Sequence, residues 1–251
     1  MTTKWIGRVM RWAAAGLLCT VLATRAHADL AADLARVAVE AAGGRAAHEA
    51  LQAWKADGIT RVGEQSVVFL LYAARPDRVR IETLGEQGSL VRSYDGERAP
   101  WRKDGPLAPP RRLGRAEELE FVREADFDSP LYEAGARGVS LDYAGEQTVD
   151  GRLCQKLLAT LRGGALVTLY LDDETRLLVR RDTVRRSGGR EVVEETHYAD
   201  HRPVAGVMLP HLITAKRDGV VLHETRIREY TPNPVLMEGF FAPPVADWPR
   251  L

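Results

Sequence analysis

Residues 153–185, LCQKLLATLRGGALVTLYLDDETRLLVRRDTVR, decide the fold. Three runs of strand-forming residues, Leu153–Leu161, Leu166–Leu171 and Leu177–Arg185, are separated by Gly163-Gly164 and by Asp172-Asp173, the residue types that turn a chain tightly. Within the runs Leu153, Leu157, Ala159 and Leu161 share one parity, as do Val167, Leu169 and Leu171. That alternation belongs to a sheet with one apolar face. The spacing predicts consecutive antiparallel hairpins.

The same texture extends outward. Towards the C-terminus, Ser187-Gly188-Gly189 and Asp218-Gly219 separate Glu191–Tyr198, Val207–Lys216 and Val220–Tyr230. Towards the N-terminus, Asp150-Gly151 follows Val139–Glu146, Asp95-Gly96 follows Leu90–Tyr94, and Arg75-Pro76-Asp77 divides Ser66–Ala73 from Arg78–Glu82. About eleven strands are predicted, and a meander this long must curl or expose its edges. Residues 103–135 interrupt it: Pro106, Pro109 and Pro110 oppose regular structure, while Ala116–Glu124 is charged and predicted helical. Ahead of the strands, Leu30, Leu34, Val37 and Ala41 recur at helical spacing up to Gly43-Gly44. A second short helix is expected from Arg45 to Trp54, closed by Gly58. The expected class is α+β, mainly β: one curved antiparallel sheet, an incomplete barrel, with helices over its concave face.

Residues 1–28 read as a secretory signal peptide, with Lys4, Arg8 and Arg11 ahead of an uncharged run from Trp12 to Thr24. Ala26-His27-Ala28 places cleavage before Asp29 and export on the Sec route to the periplasm. Residues 29–251 are then one domain. The full chain balances 35 Lys and Arg against 35 Asp and Glu, and the signal holds four of the basic residues and none of the acidic ones, so the mature chain is net acidic by four. A nucleic-acid partner would require the opposite excess.

Several segments carry a family resemblance. Arg75-Pro76-Asp77-Arg78-Val79-Arg80, then Tyr94-Asp95-Gly96 and Trp101, resembles the R-P…D-G…W segment of LolA-like outer-membrane lipoprotein-sorting proteins. Tyr143–Gly151 resembles the next strand and turn, Leu171-Asp172-Asp173-Glu174-Thr175-Arg176-Leu177 the LDxxTxL hairpin, and His201–Pro210 the YRxVxGxxxP segment. Asn233 and Phe241-Ala242-Pro243-Pro244 complete the series. The resemblance implies a half-barrel whose apolar cavity shields acyl chains during transfer between membranes. It implies a monomeric carrier with an inner-membrane donor complex and an outer-membrane acceptor as partners. A sensory or protein-binding module of the envelope, including an accessory subunit of an export complex, is the competing reading of the same fold.

Alternation nominates Phe69, Leu71, Val79, Ile81, Leu157, Val167, Leu169, Leu171 and Ile227 for the cavity, with Trp101 as a lining or gating residue or a packing anchor between helix and sheet. Val221 and Leu153 share those rows. Each could equally fill an ordinary core, since both roles need the same chemistry. Trp54 is an anchor or a gate, and one arginine among Arg75, Arg78 and Arg80 could hold a cover shut. No catalytic residue, cofactor or metal site is expected: the chain lacks the G-x-S-x-G elbow, the H-E-x-x-H zinc helix and a phosphate-binding glycine loop. His197 and His201 lie four residues apart on a strand, too far for one metal. Asp172-Asp173-Glu174 reads as a solvated turn, Arg180-Arg181 as a wet strand face, and Cys154 as a small strand residue.

Overall fold

The computed structural model describes residues 30–86, 88–134, 138–162, 164–187, 189–245 and 247–251. The signal-peptide reading of residues 1–28 and the cleavage point lie outside them. The N-terminal half contributes helix α1 (residues 30–41), helix α2 (Gly44–Ala50) and strands β1 (Ala53–Val62), β2 (Gln65–Ala74), β3 (Arg78–Gly85) and β4 (Gly88–Tyr94). A short hairpin, β5 (Trp101–Asp104) and β6 (Arg111–Arg112), precedes helix α3 (Arg115–Glu124). Then follow β7 (Ser140–Val149), β8 (Arg152–Thr160), β9 (Leu166–Asp172), β10 (Leu178–Ser187), β11 (Arg190–Val204), β12 (Val207–Arg217) and β13 (Val220–Pro232).

All thirteen strands form one antiparallel sheet in the order β6-β5-β4-β3-β2-β1-β13-β12-β11-β10-β9-β8-β7. Each strand pairs with its chain neighbour, and the two ends of the meander, β1 and β13, pair with each other. The sheet opens between β6 and β7, which flank the segment containing α3. Asp150-Gly151 and Asp218-Gly219 turn the hairpins with both residues at positive φ, 47° and 80° in the first and 51° and 76° in the second, as primed turns require.

Contacts to α3 show that the sheet curls. Glu117 lies 3.7 Å from Arg102 on β5, and Glu120 lies 2.9 Å from Arg185 on β10. Those strands stand eight places apart in the sheet, roughly 38 Å if it were flat. Three residues of helix advance only about 4.5 Å. One helix reaches both strands, so they stand closer together than a flat sheet would allow.

Residues directly opposite in an antiparallel pair share a face, so register identifies the side that meets the helices. Leu71 opposes Ile81, Leu157 opposes Leu169, and Leu169 opposes Arg181. Against this inner face α1 places Ala31, Ala35, Ala38 and Val39, packed on Leu157, Ala159, Val167, Leu169 and Leu171. The helix therefore meets the sheet through its alanines, and Leu30 from the expected apolar stripe is 41% exposed. Short side chains let the helix backbone approach closely. Phe121 and Ala125 join Val79, Tyr94 and Leu113 in a second cluster.

Two expectations are corrected. The second helix ends at Ala50, and Trp54 and Gly58 belong to β1. Gly58 sits where β1 shifts register against β13, and a Cβ there would stand 2.2 Å from the Arg226 carbonyl oxygen and 2.9 Å from the Phe69 ring. It is a point of close strand approach, not a helix stop. The proline-rich stretch also carries the β5–β6 hairpin, which with β1 raises the strand count above eleven.

Candidate ligand cavity

A cavity of about 310 Å³ lies between α1–α2, the sheet and residues 126–133. Its volume is near the lower end of the roughly 300–1,000 Å³ usual for small-ligand sites. Leu169, Leu178, Tyr198 and Val207 come from the sheet, Ala38, Val39, Ala42 and Leu51 from the helical side, and Trp54, Phe127, Leu131 and Tyr132 from the remaining wall. The corner between α1 and α2 docks on the β11–β12 turn: the Met208 amide donates to the Ala42 carbonyl (2.9 Å). A Cβ on Gly43 would fall 2.0 Å from the Gly206 carbonyl oxygen, so this corner requires glycine.

The arginine that could hold a cover shut is Arg75. Its side chain is 17% exposed and ion-paired with Asp128. It also donates to the carbonyls of His48 (2.7 Å) and Leu51 (3.1 Å). Its guanidinium lies 4.6 Å from the centre of the Phe127 ring and 5.6 Å from that of Tyr132. One side chain thus ties the β2–β3 turn to the end of α2 and to the segment following α3. Arg162 lies 3.8 Å from both Asp77 and Glu133. Burial, Asp77 and Glu133 push the Asp126 carboxyl above its ordinary range, against the opposing pull of Arg162 and Arg181. Burial lowers His201, whose ring also lines the cavity.

Of the nominated residues, Leu169 lines this cavity. Leu157, Val167 and Leu171 are buried beneath α1. Val79, Leu71 and Ile81 lie in the cluster containing Phe121 of α3, and Phe69 and Ile227 pack with Ala56 and Trp54. Trp101 is on the other face. It opposes Ser93, whereas Arg92 opposes the inner-face Ile81. There the Trp101 indole and the Ser93 hydroxyl both donate to the Phe241 carbonyl, at 3.2 and 2.9 Å. Trp101 anchors the C-terminal segment. Leu153 and Val221 are 47% and 52% exposed, so the expected rows run out of cover towards the strand ends.

Other side chains also depart from expectation. Asp172 is 3% exposed and accepts hydrogen bonds from the amides of Glu174 and Thr175 and the hydroxyl of Thr175, so it organises its turn from within. Arg180 and Arg181 occupy opposite faces: Arg180 pairs with Asp182 and Glu195, while Arg181 lines the cavity. His197 lies 2.9 Å from Asp150 and 3.0 Å from Glu195, whereas His201 turns into the cavity beyond Asp200, whose φ is 54°. Cys154 is buried, and burial pushes its thiol up. Among the described residues, no three or more His, Cys, Asp or Glu side chains are grouped to hold a metal ion, and no helix is long and apolar enough to cross a membrane.

An open, curled antiparallel meander with helices packed on one face is the fold of the LolA-like lipoprotein-sorting proteins. Three solved structures share it, each at a TM-score of 0.57. A DUF1329 family protein from Desulfovibrio piger is 15% identical over 86% of this chain and 97% of its own. An outer membrane lipoprotein-sorting protein domain from Vibrio parahaemolyticus is 12% identical over the same shares. A LolA superfamily protein from Nitrosomonas europaea is 12% identical over 82% of this chain and 96% of its own. At such identities the likeness establishes the fold alone. No family model and no curated protein matches the chain.

Proposed function

We propose that the chain is a periplasmic carrier or binder of lipid or lipidated protein cargo serving outer-membrane lipoprotein sorting. The observation that carries this reading is the largely apolar cavity beneath α1–α2, closed on one side by a segment that Arg75 and Arg162 hold through Asp128 and Glu133. Each acyl methylene is worth about 0.8 kcal/mol out of water, so a 16-carbon chain needs on the order of 10 kcal/mol of replacement burial to leave a membrane. A trough of Leu, Val and aromatic side chains supplies such an environment.

In this reading the helices cover the concave face of the half-barrel, and α3 with residues 126–133 is the part that moves. Release of Arg75 from Asp128 would join the cavity to the space beneath α3, where Val79, Leu71 and Ile81 are now held by Phe121. The enlarged trough would add Val79, Leu71 and Ile81 to Leu169 among the residues nominated by alternation. An inner-membrane donor complex and an outer-membrane acceptor are the proposed partners, and no catalytic step is needed.

The test is extraction of the mature protein, residues 29–251, from the envelope of expressing cells, followed by lipid mass spectrometry. Acyl chains at near-equal molar amount are expected. Lipid-free protein that also leaves an apolar fluorescent probe unbound would refute the reading.

A further inference from the structure

We propose that Arg181 anchors an anionic head group, so that the cavity takes a single-chain acyl carboxylate in preference to a neutral lipid. This rests on the carrier reading and names the ligand class of the same cavity.

The adjacent arginines of β10 provide the contrast. Arg180, facing outward, is fully engaged: Asp182 accepts from it at 2.6 and 2.9 Å, Glu195 lies 2.9 Å away, and the Tyr170 ring lies beneath it at 4.9 Å. Arg181 faces inward, opposite Leu169 and Thr196, and lines the cavity. Its Nε is buried and has no hydrogen-bond partner. Among the described residues Arg181 takes part in no hydrogen bond or ion pair. Arg92, Arg102 and Arg217 also bury an unpartnered Nε, yet each has a carboxylate beside its outer nitrogens: Glu117, Asp104 and Glu194, respectively.

A guanidinium partly withdrawn from water, with its Nε buried and unpartnered, is costly without a bonded carboxylate, and two of the cavity's three carboxylates are already engaged. Arg75 takes up Asp128, and Arg162 lies between Asp77 and Glu133. Asp126, the remaining carboxyl on the wall, is exposed to solvent and makes no hydrogen bond or ion pair among the described residues. The planar guanidinium fork matches a carboxylate in two-point geometry. Beside it Leu169, Leu178 and Val207 offer apolar surface for the adjoining methylenes, and a volume of 310 Å³ suits a slender ligand.

The experiment loads the mature protein with N-phenyl-1-naphthylamine, an uncharged apolar fluorophore, and displaces it with palmitate or with methyl palmitate. Wild-type protein should release the fluorophore to palmitate at about tenfold to a hundredfold lower concentration than to the ester, the span expected for hydrogen bonds to a charged group. Arg181→Met keeps the side-chain length without the charge. Measured against each variant's own affinity for the fluorophore, it should bring palmitate down to the level of the ester, while Arg181→Lys should retain part of the preference. Equal displacement by acid and ester in the wild type, or an unchanged preference in Arg181→Met, would overturn the anchor and leave the carrier reading standing. Failure of the wild type to bind the fluorophore at all would remove the carrier reading, and the anchor with it.

Discussion

The inner face of the sheet is two surfaces joined edge to edge. Under α1 it is neutral: Leu157 and Leu169 are wholly buried, and the helix meets them with Ala31, Ala35 and Ala38. Under α3 it is charged: Glu117 stands near Arg92 and Arg102, and Glu120 reaches Arg185, around a single fully buried aromatic, Phe121. Apolar burial excludes water and must be surrendered together, at about 1.5–3 kcal/mol for each large side chain. Ion pairs between partly exposed groups contribute about 0–1 kcal/mol each and yield to salt or to a competing charge. On the proposed carrier reading, this difference makes α1 part of the folded core and α3 the element that leaves while the sheet persists.

The largest effect should come from breaking the neutral half. Leu157→Asp buries a carboxylate under α1 with no partner, so cooperative folding should be lost, as read by circular dichroism and urea titration. A variant that retained a sharp unfolding transition near that of the wild type would show that α1 is not integral to the core. On the charged half, Phe121→Ala should cost about 3–5 kcal/mol of α3 docking. Amide hydrogen exchange should rise across Arg115–Glu124 and stay low in β8 and β9. Equal acceleration in both places would erase the distinction.

A smaller effect tests the ion pairs themselves. The double variant Glu117→Gln, Glu120→Gln should loosen α3 by about 0.2–1 kcal/mol per pair and speed uptake of the apolar fluorophore. Raising ionic strength should speed the wild type in the same sense and leave the double variant nearly unchanged. An uptake rate indifferent to both would mean that α3 is not the gate.

Much of this arrangement is legible in the residues. Period-two alternation with Asp-Gly and Gly-Gly turns specifies the hairpins, because side-chain parity and turn chemistry are local properties. Pairing of β1 with β13 is not local: nothing in Ala53–Val62 says that its partner lies some 170 residues on, and Trp54 with Leu51 imitates a helical stripe. Alternation locates the inner face but cannot distinguish packed from vacant, so Leu157 and Leu169 read alike although the cavity reaches only Leu169. Arg181 offered a usable signal. Two adjacent arginines on a strand cannot share a face, so one of them had to enter the interior.

The smallest effect concerns the junction of the two halves, where Asp126 follows Ala125 at the end of α3. Its carboxyl is raised by burial and by Asp77, so the folded state holds a proton that the unfolded chain releases near pH 4. The corresponding stability is fully present below that pH and is lost as pH rises through the higher folded value. Asp126→Asn removes the titration. Relative to wild type, the variant should therefore gain stability as pH rises above about 4, by a small amount because solvent screens an exposed group. Comparing the two proteins at each pH cancels the opposite drift from Asp172, lowered by hydrogen bonds from Thr175 and Glu174 against its burial, and from Asp173, lowered by hydrogen bonds from Gln155 and Arg176. A wild-type minus variant difference that stayed flat across the range would mean that Asp126 is ionised in the folded protein as readily as in the unfolded one. The wall of the cavity would then carry a full negative charge as well as the charge of Arg181, and the preference for an anionic ligand should shrink accordingly.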